Sequence, residues 1–220
     1  MRGLRLHASP AAVRGQTQAY AERVDELVDL LRTEIAAPPA PQGTPALVVL
    51  MGVPGVGKSH CARLLAARLG AAQVATDQLR SRVFIAASYT AEENAAIFRC
   101  VEALVERLLD ERHRVIVDAT NLAAQHREPS VAAARRHGVP LVFVRVVSTE
   151  GAILARLAGR RSARAADDHS DADVRVYERM RDRAFEPPEG GFLELQNGDD
   201  VTTEIERVAA AVEQACASAS

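Results

Sequence analysis

The sequence predicts an α/β fold, a five-stranded parallel sheet with helices on both faces. Three observations carry that prediction. From Ala46 onward, short apolar runs alternate with segments of helical periodicity, as they do when buried parallel strands return through helices. The first run leads directly into Gly52-Val53-Pro54-Gly55-Val56-Gly57-Lys58-Ser59, which fits the pattern GxxxxGK[ST]. Helix caps recur between the runs, in Thr90-Ala91-Glu92-Glu93 and in Ser170-Asp171-Ala172-Asp173.

Taken in order, residues 1–15 carry no periodic pattern. Residues 16–36 place Tyr20, Val24, Leu27, Val28, Leu31 and Ile35 on one helical face. Pro38, Pro39, Pro41, Gly43 and Pro45 then form a linker, so residues 1–45 are expected to stand apart from a domain over 46–220. The opening helix either packs on that domain or docks a partner; the first reading is preferred. Strands are expected at Leu47–Met51, Gln73–Ala75, Val115–Val117, Leu141–Val147 and Phe192–Leu195. The helix over Ser59–Leu69 stops at Gly70. Ile97, Val101, Leu104 and Leu108 mark the next helix, and another spans residues 124–137. Further helices are expected from Thr149, from Ser170 to about Phe185, and through Ile205, Val208 and Val212.

Composition narrows the classes. The chain has 220 residues, 48% hydrophobic and 25% charged, with a formal net charge of −2. That is ordinary for one soluble domain and lacks the basic balance of a dedicated nucleic-acid binder. Cys61, Cys100 and Cys216 are odd in number and widely spaced, as idle thiols are. No apolar run has transmembrane length and no signal-peptide core opens the chain, so a soluble cytoplasmic protein, monomer or homodimer, without membrane contact is expected.

Lys58 is the only lysine; the other 26 basic side chains are arginine. Within the glycine loop a compact ammonium fits between phosphate oxygens where a planar guanidinium would crowd them. The segment Gly52, Val53, Pro54, Gly55, Val56, Gly57, Lys58, Ser59 and His60 is therefore read as holding ATP phosphates, with Ser59 on Mg²⁺ and His60 turned away from the nucleotide. Asp77, in Thr76-Asp77-Gln78-Leu79-Arg80, follows the second strand. It is either a general base toward an acceptor hydroxyl or a helix N-cap. Arg80 either holds the acceptor or the transferring phosphoryl group, or is a surface arginine paired with Asp77. Asp118 ends the run Val115-Ile116-Val117, the position of a carboxylate that holds Mg²⁺ directly or through water. Arg156, Arg160, Arg161 and Arg164 lie within nine residues without an acid among them. They form a lid closing on the nucleotide, a solvated basic loop balanced by Asp167, Asp168, Asp171 and Asp173, or a nucleic-acid patch without stacking aromatics.

Together these residues resemble the P-loop kinase group that contains bacteriophage polynucleotide kinase, zeta-toxin-type kinases and chloramphenicol phosphotransferase. The resemblance covers about residues 46–215. It implies a P-loop NTPase three-layer sandwich with an arginine-rich lid over about 156–173. In that likeness Asp77 is the general base, Arg80 contacts the phosphoryl group, and Arg156-Leu157-Ala158-Gly159-Arg160 matches the lid, with Arg160 its arginine. Val117-Asp118-Ala119-Thr120-Asn121-Leu122 is similar to the third-strand motif, although Ala119 separates the acid from Thr-Asn-Leu. Ser170–Met180 followed by Phe185-Glu186-Pro187-Pro188 looks like the lid tail of bacterial AAA-type ATP-binding proteins of unknown substrate. The base pocket is implied near Asn197–Asp199.

The expected function is Mg²⁺-dependent transfer of the γ-phosphoryl group of ATP to a hydroxyl of a small molecule or nucleotide. The catalytic set is Lys58, Asp77, Arg80 and Arg160, with Arg156 toward the nucleotide. An ATPase switch without acceptor, or a polynucleotide 5′-hydroxyl kinase, are the alternatives. The low net charge makes a nucleic-acid acceptor the less favoured one.

Overall fold

The computed structural model describes residues 24–35, 43–84, 90–162, 174–181 and 185–219. Its centre is a five-stranded, wholly parallel sheet in the order β2-β3-β1-β4-β5. The strands are β1 (Leu47–Met51), β2 (Ala71–Ala75), β3 (Arg114–Asp118), β4 (Leu141–Val147) and β5 (Leu193–Gln196). The helices are α1 (Val24–Glu34), α2 (Lys58–Leu69), α3 (Thr76–Val83), α4 (Ala91–Asp110), α5 (Glu128–His137), α6 (Glu150–Ser162), α7 (Val174–Arg181) and α8 (Val201–Ser218).

Strand alternation sorts the core into two layers. Leu47, Val49, Met51, Val115 and Val117 meet Leu79 of α3, Ile97 and Leu104 of α4, and Ala133 of α5. Val48, Leu50, Ile116 and Val144 meet Cys61 and Leu65 of α2, Leu157 of α6 and Val208 and Val212 of α8. Every residue of β1 is buried, because it lies between β3 and β4 and carries helices on both faces. Its carboxyl end opens between strands whose connections leave in opposite directions, where parallel sheets place ligands.

The expected helix over residues 16–36 is described from Val24; residues 16–23 and 36 lie outside the described residues. It packs on the domain, with Val28 and Leu31 in the layer beneath α4 and Leu30 exposed. Arg32 adds a 3.0 Å bond to Glu111. Thr90 caps α4 as its sequence predicts, accepting from Glu93 N at 3.2 Å. Gly70 ends α2 in the left-handed region.

Several boundaries differ from expectation; β3 extends by one residue at each end, over Arg114–Asp118. β2 starts at Ala71, because Ala71 and Ala72 pair with Arg114 and Val115; buried pairing overrides alanine's weak strand preference. The helix expected over 124–137 divides into a 3₁₀ turn, Ala124–His126, and α5, with Pro129 in the first turn of α5, where a missing N–H costs nothing. β5 runs one residue further along, since Leu193–Gln196 pairs with Val144–Val147 while Phe192 turns edge-on to Phe185. The cap at 170–173, residues 163 and 164 of the arginine-rich stretch and the side chains of residues 160–162 lie outside the described residues, and α7 is described over Val174–Arg181. Among the described residues, no helix is long and apolar enough to cross a membrane.

The placement of α1 has a measurable consequence. Leu31→Ala should lower unfolding free energy by about 2–5 kcal/mol, as large-to-small changes in a core do. Leu30→Ala should stay within about 0.5 kcal/mol. Urea denaturation of the two variants makes the comparison; equal effects would detach α1 from the folded unit.

Candidate active site

β1, β2 and β3 end in register, with Leu50 and Ala75 both opposite Asp118. Three chain segments therefore deliver their next residues to one place: the glycine loop, the start of α3 and the loop after β3. The glycine loop enters through Gly52, whose N–H donates to Thr120 O at 3.0 Å. It leaves through Gly57, the N-cap of α2, at φ 93°. A Cβ there would sit 2.0 Å from Asn197 Nδ2, so only glycine admits the contact that follows. At Gly55 a Cβ would come within 2.8 Å of Leu157 and 3.0 Å of Ile153, which shows how closely α6 covers the loop.

Val56 O is held twice, by Asn197 Nδ2 at 2.7 Å and by Arg156 Nη1 at 3.2 Å. Arg156 also reaches Ser148 Oγ and Asn197 O, each at 3.2 Å. Asn197 itself is buried, and its N–H continues the sheet by donating to Val147 O at 2.8 Å. Gly198 and Asp199, beside it, are exposed. With Val56 O held from outside, the glycine loop is fixed in one shape, the condition a backbone cradle for phosphate oxygens requires. Lys58 Nζ donates to Val53 O at 3.1 Å and so spans the loop's mouth. His60 is exposed.

Beneath the loop, the Ser59 hydroxyl meets the carboxylate of Asp118, which also accepts from Gln73 Nε2 at 3.1 Å. Asp118 is 5% exposed. Burial pushes its pKa above the ordinary carboxylate range; Lys58 and the bonds from Ser59 and Gln73 pull it down, and the Asp77 charge pushes it up. The hydroxyl and the carboxylate are hard oxygen donors already in contact. They suit Mg²⁺, which takes few protein ligands and completes its shell with phosphates and water. Among the described residues no group of three or more His, Cys, Asp or Glu side chains is arranged to hold a metal ion, and such a shared site needs none.

Asp77 is half-buried in the first turn of α3, one residue past the Thr76 whose hydroxyl donates to Asp118 O at 3.3 Å. It is not an N-cap: Ala75 holds that position. Arg80 is not on the surface. It is 6% exposed, donates to Asn94 Oδ1 at 2.7 Å and lies 3.9 Å from Glu93, and so ties α3 to α4. Arg160 lies one turn beyond Arg156 in α6, and its side chain lies outside the described residues. Cys61, one turn into α2, has its thiol pushed up to about 12 by burial, so it stays protonated beside Asp118 and Lys58.

Three further residues shape the loop after β3. Asn121 adopts φ 48°, a left-handed conformation that asparagine tolerates, and donates to Leu50 O at 2.9 Å. Arg127, 3% exposed, donates to Asn121 O at 2.8 Å and to Glu186 O at 2.6 Å. Glu186 answers with its carboxylate on Ala124 N at 2.6 Å and its N–H on Leu122 O at 3.2 Å. Nothing in the spacing singles out Arg127, Glu186 or Asn197 for these tasks.

A family model described as "AAA domain" matches residues 47–188, which holds the glycine loop, Asp77, Asp118 and α6. The chain belongs to this AAA-domain family. No curated protein matches it. Among solved structures the domain is similar to the Mycobacterium tuberculosis APS kinase CysC in complex with AMPPNP and APS, at 20% identity and TM-score 0.58, covering 78% of this chain and 99% of that one. It is also similar to Chaetomium thermophilum Kti12 in complex with ADP-AlF3, at 23% identity and TM-score 0.63, covering 77% and 98%. A gluconokinase from Sinorhizobium meliloti 1021 matches at 17% identity and TM-score 0.56, covering 80% and 97%. The AAA domain of this chain thus has the fold of P-loop kinases.

The raised pKa of Asp118 makes a signed prediction. The unfolded chain loses this proton at lower pH than the folded one, so stability falls as pH rises between the two values. Asp118→Asn should therefore match or exceed the parent's melting temperature without nucleotide at neutral pH, while losing most of the extra stabilisation that Mg²⁺ adds to ATP. Thermal melts with ATP, with and without Mg²⁺, read both effects; an undiminished Mg²⁺ increment would remove Asp118 from the metal site.

Proposed function

We propose that this protein is a kinase that transfers the γ-phosphoryl group of ATP to a hydroxyl of a small molecule. The observation that carries the reading is the contact between the Ser59 hydroxyl and the buried Asp118 carboxylate, with Lys58 beside them and Asp77 close enough to perturb Asp118. A nucleotide-binding loop alone needs no second carboxylate; phosphoryl transfer to a hydroxyl does. Two structural neighbours were solved with adenine nucleotides, which supports ATP as donor.

In this reading the loop amides and Lys58 hold the β- and γ-phosphates, and Ser59 and Asp118 hold Mg²⁺, which offsets charge on the phosphate oxygens. Asp77 takes the proton of the acceptor hydroxyl as its oxygen bonds to the γ-phosphorus. The bond from that phosphorus to the β,γ-bridging oxygen breaks, ADP leaves, and the proton passes from Asp77 to solvent. Arg80 holds α3 against α4 and so sets Asp77 in place. Arg156 braces the phosphate loop, and Arg160, one turn further along α6, meets the transferring group when the lid closes. Positioning and fixed charge do most of the work in such chemistry, so water must be kept out.

Asp77→Asn tests the assignment. Transfer from γ-labelled ATP to the acceptor should fall about 10²–10⁴-fold, the usual contribution of a general base. ATP affinity should stay within about twofold, since Asp77 touches no donor phosphate. Wild-type transfer by the variant would rule out Asp77 as the base.

A further inference from the structure

Next to this site lies a cleft with about 430 Å³ of empty space, its open mouth included. Its lining runs from Thr76 and Asn121 at the phosphate end to Glu102, Glu106 and Ser130 at the outer end. The walls between are apolar: Val101 and Val105 of α4, Val117 of β3, Ala119 just beyond it, and Ala133 of α5. Phe98 and His126 also line it, and their rings stack at 5.9 Å and 17°, joining α4 to the turn before α5.

Resting on the kinase reading, we propose that this cleft seats the acceptor, and that the acceptor is an uncharged, ring-bearing hydroxyl compound without phosphate, sulfate or carboxylate. Position supports the first half. Thr76 lines the inner end of the cleft, immediately precedes Asp77 in α3 and donates to the backbone carbonyl of Asp118 at 3.3 Å, so that end abuts the segment that carries Asp77. Asn121 is 4% exposed, and its amide nitrogen is committed to Leu50 O. Asn121 itself lines the cleft, and no hydrogen bond among the described residues uses its amide oxygen as an acceptor.

Charge supports the second half. Among the described residues lining the cleft there is no lysine or arginine; the formal charges there are Glu102 and Glu106. Glu106 is already matched by Arg136 and by His137 Nε2 at 2.7 Å. Glu102 has its pKa raised by burial, against the opposing charges of Arg136 and Arg99. The two buried arginines near the site face elsewhere, Arg80 toward Asn94 and Arg127 toward Asn121 O and Glu186 O. An anionic acceptor would meet apolar walls and a carboxylate, with no guanidinium among the described lining residues to receive it. A cationic one would find Glu106 taken and Glu102 partly offset. An uncharged body with an apolar face fits both walls and ends.

The test is transfer from γ-labelled ATP to matched probes: adenosine against adenosine 5′-monophosphate with the 3′-hydroxyl as acceptor, and phenyl β-glucoside against phenyl β-glucuronide and phenyl 2-amino-2-deoxy-β-glucoside. The uncharged member of at least one set should show kcat/KM at least about tenfold above its charged partners. Glu102→Arg should cut its advantage over the anionic partner to under about threefold by lowering the KM of the anion. Preference for a charged partner, or an advantage unchanged in Glu102→Arg, overturns the acceptor class and leaves the kinase reading standing. Transfer to no probe while ATP binds overturns this inference and the kinase reading together.

Discussion

A loop that must offer its amides to a ligand cannot satisfy them itself, so something has to hold it open from behind. In this protein the holding point is the carbonyl of Val56. It accepts from Asn197, which belongs to the end of β5, and from Arg156, which belongs to α6. Two elements far along the chain thus fix the conformation of a loop that follows β1. The cost falls on Gly57, whose missing side chain is the space Asn197 occupies. Breaking this single junction would free the loop, the start of α2 and the approach of α6 at once, because all three meet there.

The same logic organises the opposite side of the site. The loop after β3 would have little reason to keep one shape, since Asn121 sits at positive φ and Ala119 interrupts the motif. Arg127 and Glu186 supply the reason. A buried guanidinium is expensive unless its donors are used, and Arg127 spends them on two backbone carbonyls and lies 5.9 Å from the Phe143 ring. The segment around Glu186 is thereby fastened to the loop that positions Thr120 and Asn121. Charge here serves geometry.

Much of this was legible in the sequence for physical reasons that act locally. A buried strand leading into glycines and a lysine, and a capped helix after Thr90, are written in neighbouring residues, and they appear where expected. Asp118 could be read from three apolar residues and an acid. What stayed hidden depends on contacts between distant segments. Arg80 looked equally like a surface cation or a phosphate ligand; its burial against Asn94 comes from how α3 meets α4. Ala71 and Ala72 look like helix formers until β3 pairs with them. Arg127, Glu186 and Asn197 are ordinary polar residues in loops, and nothing near them in sequence announces their partners.

Lys58 spans the mouth of the phosphate loop and carries the only side-chain amine in the chain. That makes its chemistry unusually clean to follow. An acylating reagent that modifies lysine has one side-chain target in the whole protein, and it lies where the nucleotide phosphates would shield it. Labelling at Lys58, told apart from that of the chain's α-amine by peptide mapping, therefore reports how many phosphate loops are open. A chain built almost wholly on arginine has, by keeping this one residue, furnished its own occupancy gauge.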